Sequence, residues 1–215
     1  MTRFHMRWGR FLWAACTLPL LSGLLPMMAA KAAPPPADPD WPCAQRLVPS
    51  LTLATVWSGP LPPAGADWRQ DEAMEKLIET ITPRDTPAEE GLAELKSYVE
   101  KLPPSERAQK IPLLAAGLVA ATNEERGDVI TKLEDLGHRQ RLLAKRIEDD
   151  EETLAHPPPT LAADDRAGIS ERHDLLVHSY HDIGETIRYA CQVPPELEAR
   201  LGLYTRLLAS YLGKS

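Results

Sequence analysis

Residues 122–154 read TNEERGDVITKLEDLGHRQRLLAKRIEDDEETL, and their spacing decides the fold class. Val129, Leu133, Leu136, Gln140, Leu143, Ile147, Asp150 and Leu154 alternate steps of four and three, the heptad seam of one helix packed on another. Thr122-Asn123-Glu124-Glu125 ahead of the seam is a capping signature and predicts a helix start there. His156-Pro157-Pro158-Pro159 predicts its end. The next stripe, Ile169, Leu176, Tyr180, Ile183, Ile187 and Ala190, predicts a second long helix from Leu161 or Asp164 to Ala190. Two long helices joined by a short proline turn are expected to fold back as an antiparallel, coiled-coil-like hairpin. Gln140 and Asp150 are polar on this seam, where polar residues fix register. An exposed seam would equally be a docking surface for a partner.

Every other segment after Asp67 carries helical punctuation. Met74, Leu77, Ile78 and Ile81 share a face of a helix expected over 67–81, which Pro83 stops. Thr86-Pro87-Ala88-Glu89 predicts a capping box with proline at the first helical position. It opens a helix carrying Leu92, Leu95, Val99 and Leu102, ended by Pro103 and Pro104. Ser105 is expected to cap a third helix, whose Ala115, Ala116, Gly117, Ala120 and Ala121 offer a small-residue face. A last helix follows Pro194 and Pro195 with Leu197, Leu201, Tyr204, Leu208 and Tyr211, and Gly213 ends it. No segment alternates as a strand does. The expectation is an all-α bundle of about six helices over 67–215, with the hairpin as its longest part.

The chain's beginning reads as an export signal. Arg3, Arg7 and Arg10 precede an uncharged stretch from Phe11 to Met28, and Ala30-Lys31-Ala32 sets small residues where a signal peptidase cuts. Residues 1–32 are therefore expected to be removed before Ala33. The competing reading is an uncleaved membrane anchor, but Pro19, Gly23 and Pro26 interrupt the apolar stretch and suit a processed leader better. The leader holds four of the 24 basic residues and none of the 31 acids, so the mature chain has a net charge of −11. That balance gives no electrostatic reason to bind nucleic acid or an anionic membrane surface.

Residues 33–66 are expected to form an extended, proline-rich arm. It begins Ala-Ala-Pro-Pro-Pro, passes Trp41, Cys43 and Trp57, and closes at Pro60, Pro62 and Pro63. Cys16 leaves with the leader, and Cys43 and Cys191 remain, an even count suited to an oxidising compartment. A bridge between them would fasten the arm to the end of a late helix. The sharper alternative, a redox or metal-binding thiol pair, has no C-x-x-C spacing behind it.

Two clusters are candidates for chemistry. Asp174, His178, His181 and Asp182 share one helix face through spacings of three and four, and imidazole with carboxylate suits Zn²⁺ or Cu²⁺. The same residues also read as a solvated face of paired charges. Glu148-Asp149-Asp150-Glu151-Glu152 lacks the glycine and alternate spacing of a calcium loop and reads as a charged helix end in water. No nucleophile elbow, H-E-x-x-H, phosphate loop, dinucleotide glycine pattern or haem motif occurs, so neither an enzyme nor a cofactor is expected.

Asp40-Trp41-Pro42-Cys43-Ala44-Gln45 with Val56-Trp57-Ser58-Gly59-Pro60 resembles the start of a group of secreted proteobacterial proteins with no assigned activity. Residues 115–118 and Thr122-Asn123-Glu124-Glu125-Arg126 are similar to it too. The resemblance implies a bacterial periplasmic home. The functional expectation is a periplasmic interaction protein, an accessory subunit, adaptor or chaperone for another periplasmic or inner-membrane protein, with homo-oligomers possible. The alternative is a metal-handling protein that uses the His/Asp cluster.

Overall fold

In a computed structural model, which describes residues 38–213, the chain is organised along one helix of 52 residues, α4 (Pro104–Ala155). The expected leader and residues 33–37 lie outside the described residues. The described chain is all-helical. A single turn, α1 (Leu53–Val56), interrupts the arm, which the sequence reads as extended or irregular. A 3-10 turn at Trp68–Gln70 leads into α2 (Glu72–Ile81), and α3 (Ala88–Lys101) precedes α4. After α4 come α5 (Ala163–Ala190) and α6 (Val193–Leu212).

The third and fourth expected helices are thus one. The break expected at Thr122 does not occur because the would-be capping residues have other partners. Thr122 is buried. The Asn123 amide reaches out of the helix to the arm instead. It accepts from the Leu51 N–H at 2.8 Å and donates to the Leu51 carbonyl at 2.8 Å. With its side chain satisfied there, Asn123 does not compete for the helix backbone, which is how asparagine ends helices. The Thr86 capping box is also absent. Pro87 takes the cap position itself, and the Thr86 hydroxyl donates to the Thr80 carbonyl at 2.9 Å. α4 carries Pro112 in its third turn, where the missing N–H leaves the Ala108 carbonyl without its helical donor and the helix nevertheless continues.

α5 and α6 together run back along the whole of α4. Asp150 meets Arg172, Gln140 meets the Tyr180 carbonyl, and Arg126 meets Glu198, so partners on the return path advance in register as α4 is retraced. Around the N-terminal half of α4, α2, α3 and α6 complete a core of Met74, Ile78, Leu95, Ile111, Leu118, Leu201 and Leu208. Trp57 of the arm and Trp68 belong to the same core. Burying a large apolar side chain contributes about 1.5–3 kcal/mol, so this end holds most of the hydrophobic stabilisation. The Arg200 guanidinium closes it, donating to the carbonyls of Thr82, Pro83 and Thr86 at 2.6–2.9 Å.

The C-terminal half of α4 has only α5 and the arm beside it. Ile187 is the one buried residue of α5. The arm is fastened here by a disulfide between Cys43 and Cys191, whose Cα atoms lie 5.6 Å apart. Their 148-residue separation corresponds to about 5 kcal/mol in the chain-entropy account of cross-links. The Cys43→Ser/Cys191→Ser variant is expected to lose up to that amount in denaturant unfolding; a loss under about 1 kcal/mol would show that the arm needs no bond. The Asn123→Ala change removes two hydrogen bonds and is expected to cost about 2 kcal/mol. Amide exchange at Leu51 should rise with it.

Candidate functional site

The α4–α5 pair has two sides, and the arm covers one. At Gly137 a Cβ would run into the Asp40 carbonyl oxygen, so only glycine lets the arm cross α4 at that point. The Asp40 carboxylate accepts from Arg141 and lies 3.3 Å from His138 Nδ1. Gln45 donates to the Cys191 carbonyl, and the Trp41 indole N–H donates to the Gln45 carbonyl at 2.7 Å. Beside the disulfide this packing leaves an open cleft of about 750 Å³, walled by Pro42, Cys43 and Gln45 against Ile187, Cys191 and Pro195.

The opposite side carries no arm. Two clefts lie along it. The first, about 550 Å³, has Val129, Leu133, Leu136 and Val193 as its apolar floor, with Arg84, Lys132 and Tyr189 around it. The second, about 270 Å³, is floored by Leu142, Leu143 and Ile183, with Arg139 and Arg146 beside them. Lys132, Leu136, Arg139, Leu143 and Arg146 follow one another in steps of four, three, four and three, which puts both clefts on one stripe of α4. From α5 that stripe is matched by Tyr189, Thr186, Ile183 and Ser179. Large apolar groups stand open at this end of the molecule: Tyr189 is 69% exposed and Leu142 51%.

The lining of both clefts contains cations and no carboxylate. Elsewhere on the hairpin the cations are engaged. Arg141 pairs with Asp40, Lys145 with Asp149 at 3.2 Å, and Arg172 with Asp150. Among the described residues Lys132, Arg139 and Arg146 have no such carboxylate partner. Asp135 and Asp149 sit within a turn of them on neighbouring stripes. In a chain this acidic, three cations without a carboxylate partner line up beside the two apolar clefts.

Inside the hairpin, Asp150 is the one buried member of the acidic run; Glu148, Asp149, Glu151 and Glu152 are exposed. Its carboxylate accepts two hydrogen bonds from Arg172, at 2.5 Å from Nη2 and 3.1 Å from Nε. The guanidinium holds the Asp150 carboxyl below its ordinary 3.8 against the upward push of burial, and His173 adds to the downward pull. His173 Nε2 also lies 4.0 Å from Glu151.

The residues read as metal ligands lie elsewhere, on the solvent face of α5. His178 Nε2 is 3.5 Å from Asp182 Oδ2, and both side chains are largely exposed. Asp174 and His181 are exposed too, and the His181 ring meets Tyr180 edge-on at 5.9 Å between centroids. Among the described residues no group of three or more His, Cys, Asp and Glu side chains converges as a metal site would require. The groove cations were missed by sequence reasoning, although Lys132, Arg139 and Arg146 stand seven residues apart, the repeat of a single helix face.

Comparison of the chain with protein-family models, with curated proteins and with solved structures finds no match. Among the described residues no helix is long and apolar enough to cross a membrane.

The Asp150–Arg172 pair gives the hairpin a pH dependence of known sign. A carboxyl whose folded pKa is depressed contributes its full stabilisation above the unfolded value and loses it as pH falls through the folded one. Amide protection at the hairpin tip is therefore expected to be flat between neutral pH and about pH 5 and to weaken below about pH 4. Asp150→Asn should lower protection at neutral pH and flatten the acid limb. An unchanged acid limb would remove Asp150 from this role.

Proposed function

We propose that the chain is an exported, non-enzymatic helical interaction protein that serves another periplasmic or inner-membrane protein as accessory subunit, adaptor or chaperone. The observation that carries this reading is the unequal treatment of the two sides of the α4–α5 pair. One side is covered by an arm fastened with a disulfide. The other is left open and carries two apolar clefts in line, with exposed leucine and tyrosine side chains. A groove flanked by helices is a common seat for a partner's amphipathic helix. Exposed aromatic residues such as Tyr189 are the kind that anchor interfaces.

Export is supported by the leader-like first 32 residues and by the cross-link, which persists in oxidising compartments.

A photo-crosslinking amino acid placed at Leu142 or Tyr189, in protein expressed in its native host, is expected to give a discrete adduct. The same probe at Asp174, on the solvent face of α5, should give none. No adduct from either groove position, or equal adducts from all three, would contradict the reading.

A further inference from the structure

We infer that the groove takes an amphipathic helix whose flanks are acidic, supplied by a different polypeptide; this rests on the docking reading above. The stripe from Val129 to Arg146 covers 18 residues of α4, about 26 Å of helix. That length suits about five turns of a second helix and is far more than a small ligand needs. The floor of Leu133, Leu136, Leu143 and Ile183 is apolar, so the occupant needs an apolar stripe of its own.

Charge decides the rest. Lys132, Arg139 and Arg146 recur every two turns along the groove, with no carboxylate in the lining, and Arg84, 3.9 Å from Asp85, stands at its end. Facing cations at that spacing select acids at matching intervals on the occupant and reject a basic helix by like-charge repulsion.

The same pattern argues against two occupants supplied by this chain. A second copy docking groove-to-groove would form an isologous interface, in which each surface meets itself. The cations from Lys132 to Arg146 would then face one another. The chain's own first 37 residues contain no acid, with Arg3, Arg7, Arg10 and Lys31 as their charges, so they carry the wrong sign.

The test uses the mature, disulfide-bonded protein and two designed peptide helices of about 17 residues, matched to the groove. Both share a leucine stripe on an alanine background, with flanks of glutamate in one and lysine in the other. Titration by fluorescence anisotropy is expected to show binding of the glutamate peptide at least about tenfold tighter than of the lysine peptide. The preference should collapse near 1 M salt, where screening reaches about 3 Å. The triple variant Lys132→Glu/Arg139→Glu/Arg146→Glu should invert it, while Arg188→Glu, on the arm side, should leave it unchanged. Circular dichroism confirms that each variant remains helical.

Equal binding of the two peptides, or none of either, would overturn the inference. So would binding of phosphatidylglycerol vesicles in preference to the glutamate peptide, which would make the groove a lipid-facing surface. Self-association of the mature protein that the triple variant abolishes would overturn it in favour of a second copy. Crosslinks from Leu142 or Tyr189 to a partner, together with no charge preference between the peptides, would leave the docking reading standing and remove only the acidic-helix assignment.

Discussion

The clasp between the Asn123 side chain and the Leu51 backbone is the contact on which the rest of the structure depends. It mimics one rung of a β-ladder between a helix side chain and an extended strand. Through it the arm is anchored to the middle of α4, and α4 runs through a sequence that otherwise marks a helix start. A helix of 52 residues is stable mainly through the surfaces packed along it, since propensity alone contributes little in water. Its N-terminal half has α2, α6 and the arm. Its other half has α5 and the arm alone, and the disulfide sits where those two regimes meet. Arg126 lies close by, with Nη2 bonded to the Val48 carbonyl and to Glu198, and Nε and Nη1 buried without a protein partner. Unpaired buried donors are costly, so the joint between arm, α4 and α6 gives up stability at Arg126 while gaining it at Asn123 and Cys43.

Much of this was legible in the sequence. The heptad seam from Val129 to Leu154, followed by a proline turn and a second apolar stripe, marks the hairpin, because side-chain period is a direct consequence of helical geometry. Cys43 and Cys191 pair as parity and compartment suggest. Gln140 and Asp150 lie between the helices, as polar seam residues do. What the sequence hides has physical reasons. Thr122-Asn123-Glu124-Glu125 has the composition of a cap, and whether it acts as one depends on a partner 72 residues away. The same holds for the groove. Lys132, Arg139 and Arg146 are visible as a seven-residue repeat, but which side of the hairpin stays open depends on the arm crossing at Gly137. The His178/Asp182 pair shows the same limit from the other side. Helical spacing brings those side chains close, but convergence of a third ligand is a tertiary property.

Surface ion pairs such as Lys145–Asp149 contribute little to stability, typically less than about 1 kcal/mol. Their arrangement matters in another way. On the hairpin Arg141, Lys145 and Arg172 are paired with carboxylates, and the cations left without one include Lys132, Arg139 and Arg146 along the open side. A positive groove on a chain of net negative charge favours approach of an acidic surface in one orientation, which governs encounter and selectivity more than final affinity. In the proposed complex the apolar floor would supply the affinity, and Tyr189 and Leu142 are the exposed groups placed to do so.

A distance measured across Thr122 reports whether α4 is continuous. Nitroxide labels at Gln109→Cys and Asp135→Cys, both exposed positions of α4, are separated by 26 residues. Pulsed electron–electron resonance on the otherwise native, disulfide-bonded chain is expected to give one narrow distribution near 39 Å, the length of an unbroken helix at about 1.5 Å per residue. A distribution centred well below that, or split into two populations, would mean that the capping sequence at Thr122 ends a helix after all. The single spine, the register of α5 and α6 along it and the alignment of the two clefts would then fall together.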